Sequence, residues 1–189
     1  KTEAAVVEYK DENLKRLAAL SRLEDCLFYR AGGPVADLHK YTDCIISMLL
    51  PDASVTPESI ISINEIPSRL IATEMASPLA IILYELLENA LVHAFEKGSP
   101  ANYLQITLTT QTREGGPGRE LKLCVRDSGG GITETTEQLM ELSSGLSIVQ
   151  AITLRLGGDL DISSNSGTQV TVTIPEVSSE QGPTPPPFI

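Results

Sequence analysis

Glu85, Asn89 and His93 recur every four residues in a stretch that is otherwise almost wholly apolar. At about 100° per helical residue they form one narrow polar strip. Leu79, Ile82, Leu83, Leu86, Leu87, Ala90 and Ala94 cover one broad side, and Ile81, Tyr84, Leu91, Val92 and Phe95 much of the other. A helix so apolar all round is buried. A buried polar group without a partner costs on the order of 1–3 kcal/mol. Either protein groups and water satisfy the strip, or a polar ligand lies against it. Asn89 offers a neutral amide oxygen, a hard donor suited to Mg²⁺. Glu85, one turn earlier, is placed to hold a metal-bound water or take a proton. His93, one turn later, can donate to a phosphate oxygen, and Lys97 would add a positive charge past the helix end.

Val125-Arg126-Asp127-Ser128-Gly129-Gly130-Gly131-Ile132 sets a carboxylate at the end of a strand, followed by three glycines. Glycines let the backbone turn freely and let a flat ligand approach closely. An ionised Asp127 only accepts hydrogen bonds. The exocyclic amine of adenine is a matching donor, whereas guanine presents a carbonyl there. A tight turn with Asp as turn former explains the same residues without a ligand. Ser143-Ser144-Gly145-Leu146-Ser147 opens a helix with small residues, and free N–H groups at a helix start favour an anion. Ordinary serine capping accounts for it equally. Thr168, after Ser166-Gly167, would reach a base through water, or is a plain strand residue.

The elements that must hold these groups are legible from period and punctuation. Residues 2 to about 30 predict a helix, with Ala5, Leu14, Leu17, Leu20, Leu23 and Leu27 on one face, stopped by Ala31-Gly32-Gly33-Pro34. Asp37 caps a second helix that carries Leu38, Tyr41, Ile45, Met48 and Leu49 and ends at Pro51. Residues 59–63 and 69–73 predict two short strands around a turn at Pro67. Ser77-Pro78 predicts the start of the strip-bearing helix, which runs to about Glu96. Residues 103–110 and 121–125 alternate as a hairpin around Gly115-Gly116-Pro117-Gly118. A helix follows from Gly145 to Leu156, then a closing hairpin around Ser166-Gly167. The order β-β-α-β-β-α-β-β is not the alternation of a doubly wound sheet. It predicts an α+β two-layer sandwich, a mixed sheet covered by helices on one face, preceded by a helical segment. The divisions are a helical segment over 1–50, a main domain over 51–175, and a Pro-rich disordered tail over 176–189.

Composition narrows the partners. Lys and Arg number 14 against 25 Asp and Glu among 189 residues, a net charge of −11. With no Lys/Arg run to offset that deficit, a charge-driven nucleic-acid groove is excluded. Fully apolar runs are only a few residues long, so neither a membrane-crossing helix nor direct membrane contact is expected. Cys26, Cys44 and Cys124 lack CxxC spacing and predict reduced thiols in a cytoplasmic protein rather than disulfides or structural zinc. With only His39 and His93, a three-histidine metal site is excluded. The chain begins at Lys1 with no charged-then-apolar leader and reads as a piece of a longer polypeptide.

Each motif is modest, but ExxxN on a helix, DxGxG after a strand, SxGLxIV opening a helix and Gly-Thr before a last strand follow one another over about ninety residues. In that order, residues 78–175 resemble the ATP-binding catalytic domain of bacterial sensor histidine kinases, within the gyrase, HSP90, histidine kinase and MutL ATPase superfamily. Glu85 to Ala94 is similar to the family's N box, Asp127 to Gly131 to its first glycine box, Gly145 to Val149 to its second, and Gly167-Thr168 to its last. Residues 1 to about 30 resemble the second helix of the dimerisation hairpin.

The resemblance implies a Bergerat-type ATP pocket. Asn89 would ligate Mg²⁺, Asp127 would bind the adenine amine, and Gly129 and Gly131, with Ile132, would shape the adenine wall. Ser144, Gly145 and Leu146 would sit at the phosphates, and residues 132–144 would form a short lid. The γ-phosphate would pass to a histidine and then to a response-regulator aspartate, in a homodimer joined through the N-terminal helices. The sequence departs from that pattern in three ways. Ser143 and Ser144 precede the second box, and the lid holds Glu134, Glu137 and Glu141 but no Lys or Arg, leaving charge neutralisation to Mg²⁺, backbone N–H groups, His93 and Lys97. No acceptor histidine with its usual flanks occurs, and His39 is expected to be an ordinary surface residue. Two other readings stay open: a nucleotide-binding regulatory module without kinase activity, and a serine kinase acting on a sigma-factor regulator.

Overall fold

The computed structural model describes residues 3–31, 33–53, 55–68, 70–95, 102–113, 117–132, 138, 143–164 and 166–176. Strict alternation builds its main sheet. In β5 (Asn102–Thr112) Leu104, Ile106 and Leu108 are buried, and in β6 (Arg119–Asp127) Leu121, Leu123 and Val125 are. Side chains on a strand point to opposite faces in turn, so each strand gives one apolar face to the helices. β5 and β6 pair antiparallel with Ile106 opposite Val125. β8 (Thr168–Pro175) pairs with β6, and β7 (Asp159–Ser164) with β8. β3 (Ile60–Glu65) lies parallel to β5 and completes a five-stranded mixed sheet in the order β3-β5-β6-β8-β7. With helices on one face, the fold is α+β, as the sequence predicts.

Among the described residues, four α-helices accompany it. α1 (Glu3–Glu24) leads; α2 (Leu38–Leu49) is capped by Asp37, whose carboxylate accepts from the His39 and Lys40 N–H groups. α3 (Thr73–Glu88) is the buried centre, with Leu79, Ile82, Leu83 and Leu87 each fully covered. α4 (Ser144–Arg155) packs beside it through Leu146 and Val149. By length and composition alone, residues 73–94 would cross a membrane, but 67% of their most apolar window is buried inside the protein, as in a core helix.

Five expectations need correction. α1 stops at Glu24, and the residues after it form a hairpin, β1 (Leu27–Arg30) with β2 (Gly33–Asp37). β4 (Leu70–Ala72) pairs with β2, not with β3, and makes a separate three-stranded sheet. α3 begins at Thr73, one turn before Pro78, which lies inside the helix; its first turn has no side-chain cap and is anchored by the fully buried Ala76. Beyond Glu88 the helix widens into a π-helical turn, Asn89–Ala94, and Phe95 is extended, so the regular helix does not reach Glu96. On α1, Leu14 and Leu17 are 62% and 61% exposed; of the expected face Leu23 is buried and Leu20 partly covered, and Ala19 is buried beside them.

Candidate functional site

Asn89 and Asp127 face one cavity. About 220 Å³ in volume, it has walls of Leu86 and Ala90 from α3 and its wide turn, Val125 from β6, Leu146 from α4 and Val170 from β8. Asn89, His93, Asp127, Gly131, Ile132 and Thr168 also border it. A second cavity, of about 360 Å³, shares Asn89, His93 and Ser143 and adds Arg16, Glu85, Glu88, Ser144 and Gly145. The first is mostly apolar with a carboxylate at its border, the second mostly polar, and the Asn89 turn joins them.

Asp127 is the last residue of β6 and only 5% exposed. Its Oδ1 accepts from the Gly129 N–H at 2.8 Å and the Thr168 N–H at 3.1 Å, which fix the plane of the carboxylate. Burial pushes the carboxyl above the usual carboxylate range, and those two N–H bonds pull against it. Thr168 therefore anchors the carboxylate directly through its backbone N–H.

The glycines act through close approach. A Cβ on Gly129 would run into the Ala94 carbonyl, so the loop can lie on the end of the wide turn only because that Cβ is missing; Gly130 N–H then donates to the same carbonyl at 3.3 Å. Gly129 is not among the lining residues of either cavity. Gly131 has φ +77° and lies against Ser164, whose hydroxyl accepts from the Ile132 N–H at 2.9 Å. Nothing in the sequence singled out Ser164 as an anchor of this loop.

At the opposite end, Ser143 caps α4 and its Oγ accepts the Leu146 N–H at 3.2 Å. That N–H is thus engaged, and Leu146 contributes its apolar side chain to the cavity wall. The first-turn N–H groups of Ser144 and Gly145 have no intrahelical acceptor and remain suited to an anion. The Asn89 side-chain amide is buried with its Nδ2 lacking a hydrogen-bond partner. One neutral oxygen suits an Mg²⁺ that takes its other ligands from phosphates and water. Among the described residues no cluster of three His, Cys, Asp or Glu side chains could hold a metal by itself.

Glu85 borders the polar cavity one turn before Asn89 and carries a partner from α1. It is 1% exposed and grips Arg16 of α1, Nε to Oε1 at 2.5 Å and Nη2 to Oε2 at 3.2 Å. Both carboxylate oxygens accept from Arg16 in a fork-on-fork pair, and each keeps a further lone pair. Arg16 is the functional candidate the sequence reading missed. One signal was present: Arg16, Ala19, Leu20 and Leu23 have the i, i+3, i+4, i+7 spacing of a buried stripe, and a buried Glu85 needs a charged partner. His39 is half-buried, with Nδ1 2.7 Å from the Ile66 carbonyl. Lys97, most of the segment expected as a lid and the tail beyond Glu176 lie outside the described residues.

The family model for histidine kinase-, DNA gyrase B-, and HSP90-like ATPases matches residues 75–178. The histidine kinase domain of the Erythrobacter litoralis EL346 blue-light activated histidine kinase is 25% identical, with a TM-score of 0.66 over 85% of this chain and 71% of that one. A longer structure of the EL346 kinase gives 0.70 at 24% identity over 93% of this chain and 52% of its own, so this chain spans about half its length. The Acinetobacter baumannii histidine kinase AdeS gives 0.56 at 20% identity, over 89% and 79%. The last two likenesses concern the fold alone. No curated protein matches the chain.

Proposed function

Because the chain belongs to the histidine kinase-, DNA gyrase B-, and HSP90-like ATPase family, we propose that it is the ATP-binding catalytic region of a cytoplasmic two-component sensor histidine kinase. The observation that carries this reading is the common cavity of Asn89 and Asp127, apolar between them and polar beyond. Adenine would lie against Leu86, Val125 and Val170 with its exocyclic amine on the Asp127 carboxylate. Asp127 held by Gly129 and Thr168 is preorganised as an acceptor, so little ordering is left for the ligand to pay for. Asn89 would hold Mg²⁺, which supplies charge neutralisation at the β- and γ-phosphates when bound. His93 and Lys97, with the open first turn of α4, would receive phosphate oxygens.

Phosphoryl transfer is mostly positioning and charge neutralisation, so this half of the machinery works on an acceptor brought to it. Neither histidine here is offered as that acceptor: His39 is tied to the Ile66 carbonyl, and His93 borders the nucleotide cavity itself. The γ-phosphate would pass to a histidine outside this chain and on to a response regulator, in a homodimer joined through the N-terminal helices. Calorimetry with Mg-ADP, and incubation with γ-labelled ATP, test the reading. The expected outcome is binding without self-labelling. No heat from the wild type favours a regulatory module that has lost the nucleotide. Self-labelling that resists acid indicates a serine kinase instead.

A further inference from the structure

The helical segment enters the site through Arg16. It stands on the buried stripe of α1 with Leu20, against Ile81 and Tyr84 of α3 and Ile148 of α4. Its side chain is 13% exposed and that of Glu85 1%. Beyond the Glu85 pair, Nη2 lies 3.3 Å from Ser144 Oγ, at the first residue of α4. Glu85 Oε2 is so close to that helix start that a Cβ on Gly145 would come within 2.5 Å of it. The Glu85 carboxylate therefore sits against the polar cavity, beside the N–H groups and the Asn89 amide where phosphates would lie.

A bare carboxylate there is an obstacle. It repels a polyphosphate, and burial leaves little water to screen the repulsion. The nucleotide reading requires that this charge be cancelled, and Arg16 is a cation in direct contact with it. We propose that Arg16 is a positioning residue of the nucleotide site: paired with Glu85, it neutralises a buried carboxylate at the phosphate end and so admits a polyphosphate. The inference rests on the nucleotide reading. It adds that the α1 helix, 69 residues away in sequence, sets phosphate affinity without forming the adenine pocket. Moving α1 off α3 would uncover Glu85 and weaken ATP binding, so the position of the helical segment and the occupancy of the site are linked.

The test uses calorimetry of adenosine, Mg-ADP and Mg-ATP with wild type, Arg16→Ala and the double variant Arg16→Ala/Glu85→Gln. The expected loss in Arg16→Ala is graded by phosphate: about tenfold or more for Mg-ATP, smaller for Mg-ADP, within about twofold for adenosine. The double variant, with no charge left to repel, recovers most of the Mg-ATP affinity. An equal loss for all three ligands, or a double variant as weak as the single one, overturns the proposal and leaves the nucleotide reading standing. A wild type that binds none of the three removes both. If Arg16→Ala does not fold, Arg16→Gln carries the same comparison, since its amide can still donate to Glu85 without the charge. A graded loss there supports the proposal and an ungraded one overturns it.

Discussion

Asp127→Asn separates the recognition of adenine from the stability of the fold. Asparagine keeps an oxygen that can accept from the Gly129 and Thr168 N–H groups, now at 2.8 and 3.1 Å. It replaces the other oxygen by an NH₂ donor, which meets the donor amine of adenine. The lost charge-assisted hydrogen bond is worth about 1.5–3 kcal/mol, roughly 10- to 150-fold in affinity. Stability should move by less than about 1 kcal/mol, because the anchoring bonds survive and a carboxylate penalised by burial is removed. The pH dependence has a definite sign. The folded carboxyl holds its proton more tightly than the unfolded one, because burial raises its pKa. Its contribution to stability is therefore greatest at low pH and falls as pH rises above the usual Asp value through the raised folded value. The variant lacks that slope. Titration calorimetry with Mg-ADP and Mg-GDP, beside urea unfolding at several pH values, reads all of this. The expected variant is folded, binds Mg-ADP at least tenfold more weakly and discriminates less between adenine and guanine. An unchanged Mg-ADP affinity, or an unfolding midpoint that collapses while the folded fraction still binds normally, refutes Asp127 as the adenine acceptor.

Other consequences can be measured independently. Gly129→Ala sets a methyl against the Ala94 carbonyl and should destabilise the protein by about 1–3 kcal/mol, read as a lowered thermal midpoint by circular dichroism. Chelating Mg²⁺ should weaken ATP binding severalfold and leave adenosine binding unchanged, because Asn89 would act on the metal and not on the base; equal effects on both would contradict that role. Tyr84→Phe removes a 2.9 Å hydrogen bond to Glu88 and should cost about 1 kcal/mol in urea unfolding, with no effect on the adenosine-to-ATP preference.

The sequence disclosed what depends on local period and punctuation. The alternation of Leu104, Ile106 and Leu108 and of Leu121, Leu123 and Val125 is the core face of the sheet, and Asp37 is the cap its residue type suggests. What it concealed is decided by pairing at a distance. Leu27–Arg30 carries no Gly or Pro to break a helix, but β2 pairs with β4, setting Val35 opposite Ala72, and β1 is drawn into that sheet. Ser77-Pro78 has the chemistry of a helix start, but tertiary packing of Ala76 carries the helix one turn further back. The candidate site divides the same way. Asn89 and Asp127 stand out because their types clash with apolar or glycine-rich surroundings. Arg16 did not, because its partner Glu85 is 69 residues away and an arginine on a leading helix ordinarily faces water.

The widened turn at Asn89–Ala94 makes a gauge of a single amide. Where the regular helix gives out, the Ala94 carbonyl takes its hydrogen bond from Gly130, so the end of the central helix and the crest of the glycine loop share one proton. Solvent exchange at the Gly130 amide then times the parting of those two segments. A ligand that presses them together slows that clock even if it never touches Gly130.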